Sequence, residues 1–390
     1  MFSKRTYWPL SLNRLTQILV QQRGRSIIDL TESNPTRCGF VYETERILCA
    51  LANQAALSYR PNPRGPQEAR EAVASYYRER GVSVDPDQIF ITSSTSEAYS
   101  YLFRLLGDPG DSILAPQPSY PLFDFLAQLD DIRISVYPLV YGHGWQMDRF
   151  ALQQKIRPES RAVLLVNPNN PTGSYISCDD RAFLAALCHE QELALVADEV
   201  FFDYRLETPA DRAPQSMAGE KTALTFTLSG LSKISALPQM KLAWIVVNGP
   251  AKLMDAALGR LEVIADTYLS VSAPVGLALP ELLQTRFSIQ PQIQQRTRTN
   301  LARLDAMLPA RSPVSRLYAE GGWSAILRVP AVHTDEEWAT TLLEQDGVLV
   351  HPGHFYDFTA DGYLVVSLLA DSEKFVEGIR RLLSRIENAI

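Results

Sequence analysis

From about residue 65 onward, short β-branched or apolar runs alternate with longer stretches of helical period. That alternation is the pattern of a mostly parallel sheet with helices on both faces. QIFIT (88–92), SILAP (112–116), AVLLVN (162–167), LALVAD (193–198), ALTFTL (223–228) and LAWIVV (242–247) read as strands. Between them, residues 65–81 and 179–193 carry apolar side chains three and four apart with Gly or polar residues at their ends, and read as sheet-covering helices. Past about residue 280 the order changes: a helical stretch at 292–308, then GWSAILRV (322–329), VLVHPG (348–353), GYLVVSLL (362–369) and an amphipathic helix at 373–386. This predicts a large domain over 46–280 and a smaller α+β domain over 281–390, which residues 1–45 join. No repeat, low-complexity tract or Gly/Ser linker separates the two, so they should interlock.

Composition narrows the class of function. A chain of 390 residues that is 46% hydrophobic can bury a large core. The formal charge of −7 is small for this length and no run of like charges occurs, so nucleic acid and membrane surfaces are poor partners. Cys38, Cys49, Cys178 and Cys188 lack CxxC spacing, which predicts reduced thiols, no metal site and a cytoplasmic protein. The first residues carry no apolar stretch of signal-peptide type, and no apolar run reaches membrane-spanning length.

Four short motifs carry candidate chemistry, and each has a bland alternative. ITSSTSEAYSYLFRLL (91–106) sets small hydroxylated residues between a strand and a helix, where free backbone N–H groups suit a phosphate; alone, it could be an ordinary N-cap. Lys233 follows a strand among small residues, as a lysine at a desolvated cleft would, although a loop lysine is usually a solvated charge. Asp198 closes a very apolar strand, where a carboxylate is costly without a charged partner. A protonated pyridine nitrogen is one such partner; a helix cap or salt bridge is another. Asn170 sits in the proline-stiffened loop NPNNPTG (167–173), able to offer an amide, or simply to turn the chain.

In their order, ESNPT (32–36), YRPNPRG (59–65), TSSTSEA (92–98), PSYP (118–121), NPNNPTG, DEVF (198–201), SGLSK (229–233) and HPGHF (351–355) resemble the class I/II aminotransferases, aspartate-aminotransferase-like enzymes of pyridoxal 5'-phosphate (PLP) fold type I. The resemblance covers nearly the whole chain. It implies a large domain with a mostly parallel seven-stranded sheet, a smaller α+β domain built from both termini, and PLP held by Lys233 as a Schiff base. Lys233 would also shuttle the proton, with Asp198 keeping the pyridinium nitrogen protonated. Thr95, Ser96 and Ser232 would bind the phosphate, Tyr120 would stack on the ring and Asn170 would bond its O3'. Tyr59 would reach the phosphate of a neighbouring subunit, implying a homodimer with shared sites; its plain alternative is core packing.

Three positions depart from the pattern. Lys241 replaces an arginine that would hold the phosphate, keeping the charge without the fork. Phe201 replaces a tyrosine that would donate to O3', which predicts a Schiff base that keeps its proton to higher pH. Val365 replaces the arginine that would clamp the substrate α-carboxylate. Arg37 and Arg64 are the candidate substitutes, with His351 and His354 as further possibilities, and Ser33 and Asn34 fall on the segment that would line the substrate cleft. The expected function is amino transfer between an amino acid and a 2-oxo acid. The same cofactor in a lyase or decarboxylase, and a catalytically idle PLP-binding sensor, are the alternatives.

Overall fold

The computed structural model describes residues 1–207, 214–269 and 271–389. Fourteen strands occur among them: β1 (Ile28–Asp29), β2 (Ile89–Thr92), β3 (Ser112–Gln117), β4 (Arg133–Tyr141), β5 (Trp145–Met147), β6 (Ser160–Val166), β7 (Ala194–Asp198), β8 (Thr225–Gly230), β9 (Ala243–Asn248), β10 (Ser315–Arg316), β11 (Ser324–Arg328), β12 (Val348–Leu349), β13 (His351–Pro352) and β14 (Tyr363–Ser367). The main sheet has eight strands in the order β2-β9-β8-β7-β6-β3-β4-β5. The pairs β8·β7, β7·β6, β6·β3 and β3·β4 are parallel, while β9 is antiparallel to both β8 and β2. Because β2 and β8 both oppose β9, they run the same way. The carboxyl ends of β2, β3, β6, β7 and β8 therefore meet at one edge.

The sheet departs from the predicted seven strands because β5 folds back antiparallel on β4 as a short eighth strand. β4 lies near the edge, is mostly half-buried or exposed along its length, and contains Arg133, Ser135 and Pro138. It lacks the continuous apolar run that marks the central strands.

Alternation with period two sorts the central strands between two cores. Phe90, Ala194, Val196, Phe226, Leu228 and Ile245 face one side, where they pack with residues of the helices Thr95–Leu106 and Ala251–Tyr268. Ile89, Ile91, Trp244 and Val246 face the other, against Val73, Tyr77, Leu279 and Leu282 of the helices Gln67–Arg78 and Ala273–Gln284. Asp198 shares its parity with Ala194 and Val196, so its side chain leaves the sheet on the face covered by the helix Thr95–Leu106.

A second sheet, β10-β11-β14-β13, is antiparallel throughout. β1 pairs in parallel with β12, and Leu15, Ile18 and Leu30 join Leu301, Leu327, Trp338, Leu364 and Phe375 in one core cluster. Among the described residues no helix is long and apolar enough to cross a membrane.

Candidate active site

Strand β7 ends at Asp198, beside Val166 of β6 on one side and Leu228 of β8 on the other. The chain continuing from these three adjacent strands brings the loop 167–173, Asp198 and the turn 229–233 to the same edge. Asp198 is only 8% exposed. The Tyr99 hydroxyl donates to its Oδ2 at 2.8 Å, and the Val200 N–H donates to its Oδ1 at 3.1 Å. Burial raises the Asp198 pKa, while Tyr99, the Val200 N–H and Lys233 act in the opposite direction.

Lys233 lies in a single helical turn, Leu231–Ile234, directly after β8. A Cβ at Gly230 would meet the Ala243 Cβ at 2.8 Å and the Leu242 carbonyl oxygen at 2.9 Å, so only glycine lets β8 stay against β9 to its end. The Tyr204 hydroxyl donates to the Lys233 carbonyl at 2.6 Å and ties down the turn. Lys233 Nζ sits 5.2 Å from the ring centroid of Phe201 and 4.9 Å from that of Trp323. Burial among these rings pulls the amine down to about 8, and the Asp198 charge opposes that shift. About a tenth of it is therefore neutral, and nucleophilic, at pH 7, far more than for a solvated lysine.

The loops and the helix that follow the same edge carry groups suited to an anion and a ring. Ser94 caps the helix Thr95–Leu106 by accepting from the Glu97 N–H at 3.1 Å, and the half-buried Thr95 and Ser96 form its first turn. Asn170 is half-buried, and its amide has no hydrogen-bond partner among the described residues. The neighbouring Asn169 joins two loops: its amide donates to the Pro118 carbonyl at 3.0 Å and to Thr172 Oγ1 at 2.9 Å, and its Oδ1 accepts from Ser119 Oγ at 3.1 Å. That clamp fixes Tyr120 and Asn170 relative to each other. Gly173, at φ +70°, closes the loop, and its carbonyl accepts the N–H groups of Glu320 and Gly321 at 3.1 and 2.8 Å. Tyr120 is 45% exposed, and Ser232 is half-buried. Lys241 is exposed and adopts a left-handed backbone at φ +51°. Tyr59 is 80% exposed, so the core-packing alternative does not describe it.

The residues that the sequence suggested for the substrate are different in character. Val365 is buried, in a cluster with Leu317 and Ile326 against which Trp145, Tyr356, Phe358 and Tyr363 pack. His351 is opposite it in register, with Nδ1 3.0 Å from the Tyr356 hydroxyl; burial lowers the His351 pKa against the pull of Asp29. His354 is exposed on the following turn and packs edge-on against Phe355. Arg64 is engaged within the protein. Its guanidinium bonds Glu262 at 2.6 and 2.9 Å and the Asp87 carbonyl at 2.7 Å. Arg37 has a side chain 73% exposed, with Glu32 at 3.6 Å. Ser33 is exposed, and Asn34 uses its Oδ1 to accept from the N–H and hydroxyl of Thr36 at 3.1 and 2.7 Å.

Sequence reasoning did not find Tyr99, Asn169, Tyr204 or Glu199. Glu199 is buried beside Asp198 and accepts from Ser216 Oγ at 2.6 Å and the Met217 N–H at 2.7 Å; burial lifts its pKa to about 7 against those bonds. A second carboxylate inside a buried strand end was the available signal for Glu199. Nothing local distinguishes Tyr99 from its aromatic neighbours.

Residues 26–382 match the family described as aminotransferase class I and II. Over 375 residues the chain is 25% identical to glutamate-pyruvate aminotransferase AlaA of Escherichia coli K12, covering 94% of this chain and 92% of that protein. It is 26% identical over 377 residues to alanine aminotransferase of Mycobacterium tuberculosis H37Rv, covering 93% and 86%. Its fold superimposes on alanine aminotransferase from Pyrococcus furiosus with a TM-score of 0.86, at 22% identity and full coverage of both chains. An aspartate aminotransferase of Thermus thermophilus gives 0.84 at 20% identity, covering 98% of this chain and 99% of that one.

Proposed function

The chain belongs to the class I and II aminotransferase family, and we propose that it moves an amino group between an amino acid and a 2-oxo acid in two alternating half-reactions, with Lys233 as the reacting amine. The observation that carries this reading is the meeting of a desolvated lysine, pulled down to about 8, with the buried carboxylate of Asp198 at the carboxyl edge of adjacent parallel strands.

The residues present fit PLP, the cofactor of this family. A cationic ring nitrogen answers the buried Asp198 carboxylate, and a phosphate answers the open N-terminal turn at Thr95 and Ser96 with Ser232 and Lys241. The Asn170 amide, without a hydrogen-bond partner among the described residues, answers a ring oxygen, and the Tyr120 ring offers a stacking face. When bound, PLP supplies an aldehyde for amine condensation and a conjugated ring that takes up the electron pair left when the α-proton departs. Lys233 would hold the cofactor through its neutral amine and would serve as the base that takes and returns the α-proton. Phe201 and Trp323 flank that amine and so hold its basicity in a useful range. Asp198, kept from protonation by the Tyr99 hydroxyl, the Val200 N–H and the Lys233 charge against the pull of burial, would hold the opposing proton.

For the substrate carboxylate, the reading assigns Arg37. Ser367, two residues beyond Val365, donates its hydroxyl to the Glu32 carbonyl at 2.7 Å and its N–H to the Leu30 carbonyl at 2.6 Å. The segment bearing Arg37 is thereby held beside the strand that carries Val365. The exposure of Tyr59 and of the nearby Leu57 supports a homodimer with shared sites. The four unpaired cysteines support a reducing compartment, the cytoplasm.

The test is a half-reaction with alanine and glutamate supplied singly to the PLP-loaded protein. Amino transfer converts the visible cofactor band to that of pyridoxamine phosphate and releases the matching 2-oxo acid. Carbon dioxide released from glutamate in place of its 2-oxo acid, or no spectral change with any amino acid, would overturn it.

A further inference from the structure

We infer that Tyr99 is a positioning residue for the cofactor, holding Asp198 in place and in its charged form through the hydroxyl bond at Oδ2. The inference rests on the reading of Asp198 as the partner of the ring nitrogen.

Tyr99 is 3% exposed on the helix Thr95–Leu106, and its ring is fixed by Phe123 at 5.3 Å, edge-on, and Phe103 at 5.9 Å. With the ring fixed, the hydroxyl meets Asp198 Oδ2 at 2.8 Å, with both groups inside the protein. Burial and the neighbouring carboxylate raise the phenol pKa well above its usual value, so it remains an O–H donor throughout the working range. The other oxygen of Asp198 is supplied by the Val200 backbone, which no side-chain change removes. Tyr99 is thus the side chain that decides how well the buried carboxylate is satisfied before any cofactor arrives.

The other titratable groups around Asp198 do not duplicate this role. Lys233 acts on it through charge, and Tyr120 senses its charge. Glu199 is next in the chain but directs its carboxylate to Ser216 and Met217. Without the Tyr99 donor, Oδ2 would lie buried without that bond, and the carboxyl group would keep its proton to higher pH. A protonated Asp198 cannot favour a cationic ring nitrogen, so cofactor binding should weaken and its acid limit should move upward.

The same helix also starts at the proposed phosphate site, at Thr95 and Ser96. One rigid element would therefore address both ends of the cofactor: its first turn the phosphate, and Tyr99, one turn along, the nitrogen's counter-charge.

Tyr99→Phe keeps the ring packing and removes only the O–H. Apo-protein titrated with PLP should bind it about tenfold more weakly in this variant, and the acid limb of PLP retention should rise by about one pH unit. In an Asp198→Asn background the same substitution should change neither quantity, because the charge through which Tyr99 acts is gone. PLP affinity and pH profile unchanged in Y99F, or an effect undiminished in the D198N background, would overturn the inference. If Y99F does not fold, Tyr99→His and Tyr99→Leu carry the same comparison: the donor-bearing variant should bind PLP more tightly, and equal affinities would overturn it. Wild-type protein that takes up no PLP sinks the reading of the whole site. Wild-type uptake with an unshifted Y99F sinks this inference alone.

Discussion

Asp198, at the end of β7, and Val365, in the middle of β14, are both buried, yet their surroundings are opposite. Asp198 accepts from a tyrosine hydroxyl and a backbone N–H and feels the charge of Lys233, while Val365 is met by Leu317, Ile326 and aromatic rings. A charge can be kept in a protein interior only where donors or counter-charges replace water. The cofactor side retains that apparatus. At Val365, where the family resemblance places an arginine for the substrate carboxylate, carbon surrounds the side chain instead. Attachment of PLP and recognition of the substrate carboxylate are therefore separable properties here, and they should respond differently to mutation.

The largest effect is expected from Asp198→Asn, which should lower the rate of the amino-donor half-reaction roughly a hundredfold or more while leaving the fold intact by circular dichroism. A variant within a factor of two of wild type would mean that the buried carboxylate does not serve the ring. Next is Arg37→Ala, on the other side of the comparison. Losing a partly solvated contact to a carboxylate should raise KM for the amino acid about tenfold with little change in PLP affinity. An unchanged KM would leave the carboxylate to another cation.

A pH series sharpens the cofactor side. Burial lowers Lys233 to about 8, so below that pH the neutral fraction, and with it the rate of PLP capture by apo-protein, should rise about tenfold per pH unit and level off above about 8. A plateau reached only near pH 10 would show an ordinary, solvated lysine. The smallest effect is expected from Phe201→Tyr. Restoring a hydroxyl donor beside the ring oxygen should lower the pH at which the cofactor's visible spectrum titrates, by about one unit or less. No shift would place Phe201 out of reach of that oxygen.

The central strands and the motif loops were legible in the chain because complete burial forces continuous apolar runs, and a carboxylate such as Asp198 stands out at the end of one. β4 was not legible, since its partial exposure admits Arg133, Ser135 and Pro138 and dilutes the pattern. Tyr99 was hidden for another reason: its bond to Asp198 spans 99 residues and depends on which face of β7 the carboxylate leaves. The fate of Arg64 was equally remote, decided by Glu262 across 198 residues. Such pairings are set by packing, and no local spacing encodes them.

The attachment of PLP to Lys233 can be tested directly by reducing the PLP-loaded protein with borohydride, digesting it and sequencing the labelled peptide by mass spectrometry. The predicted result is a single phosphopyridoxyl group on Lys233, lost in Lys233→Ala. A label on another lysine, or a Lys233→Ala protein that still forms the same covalent product, would contradict it.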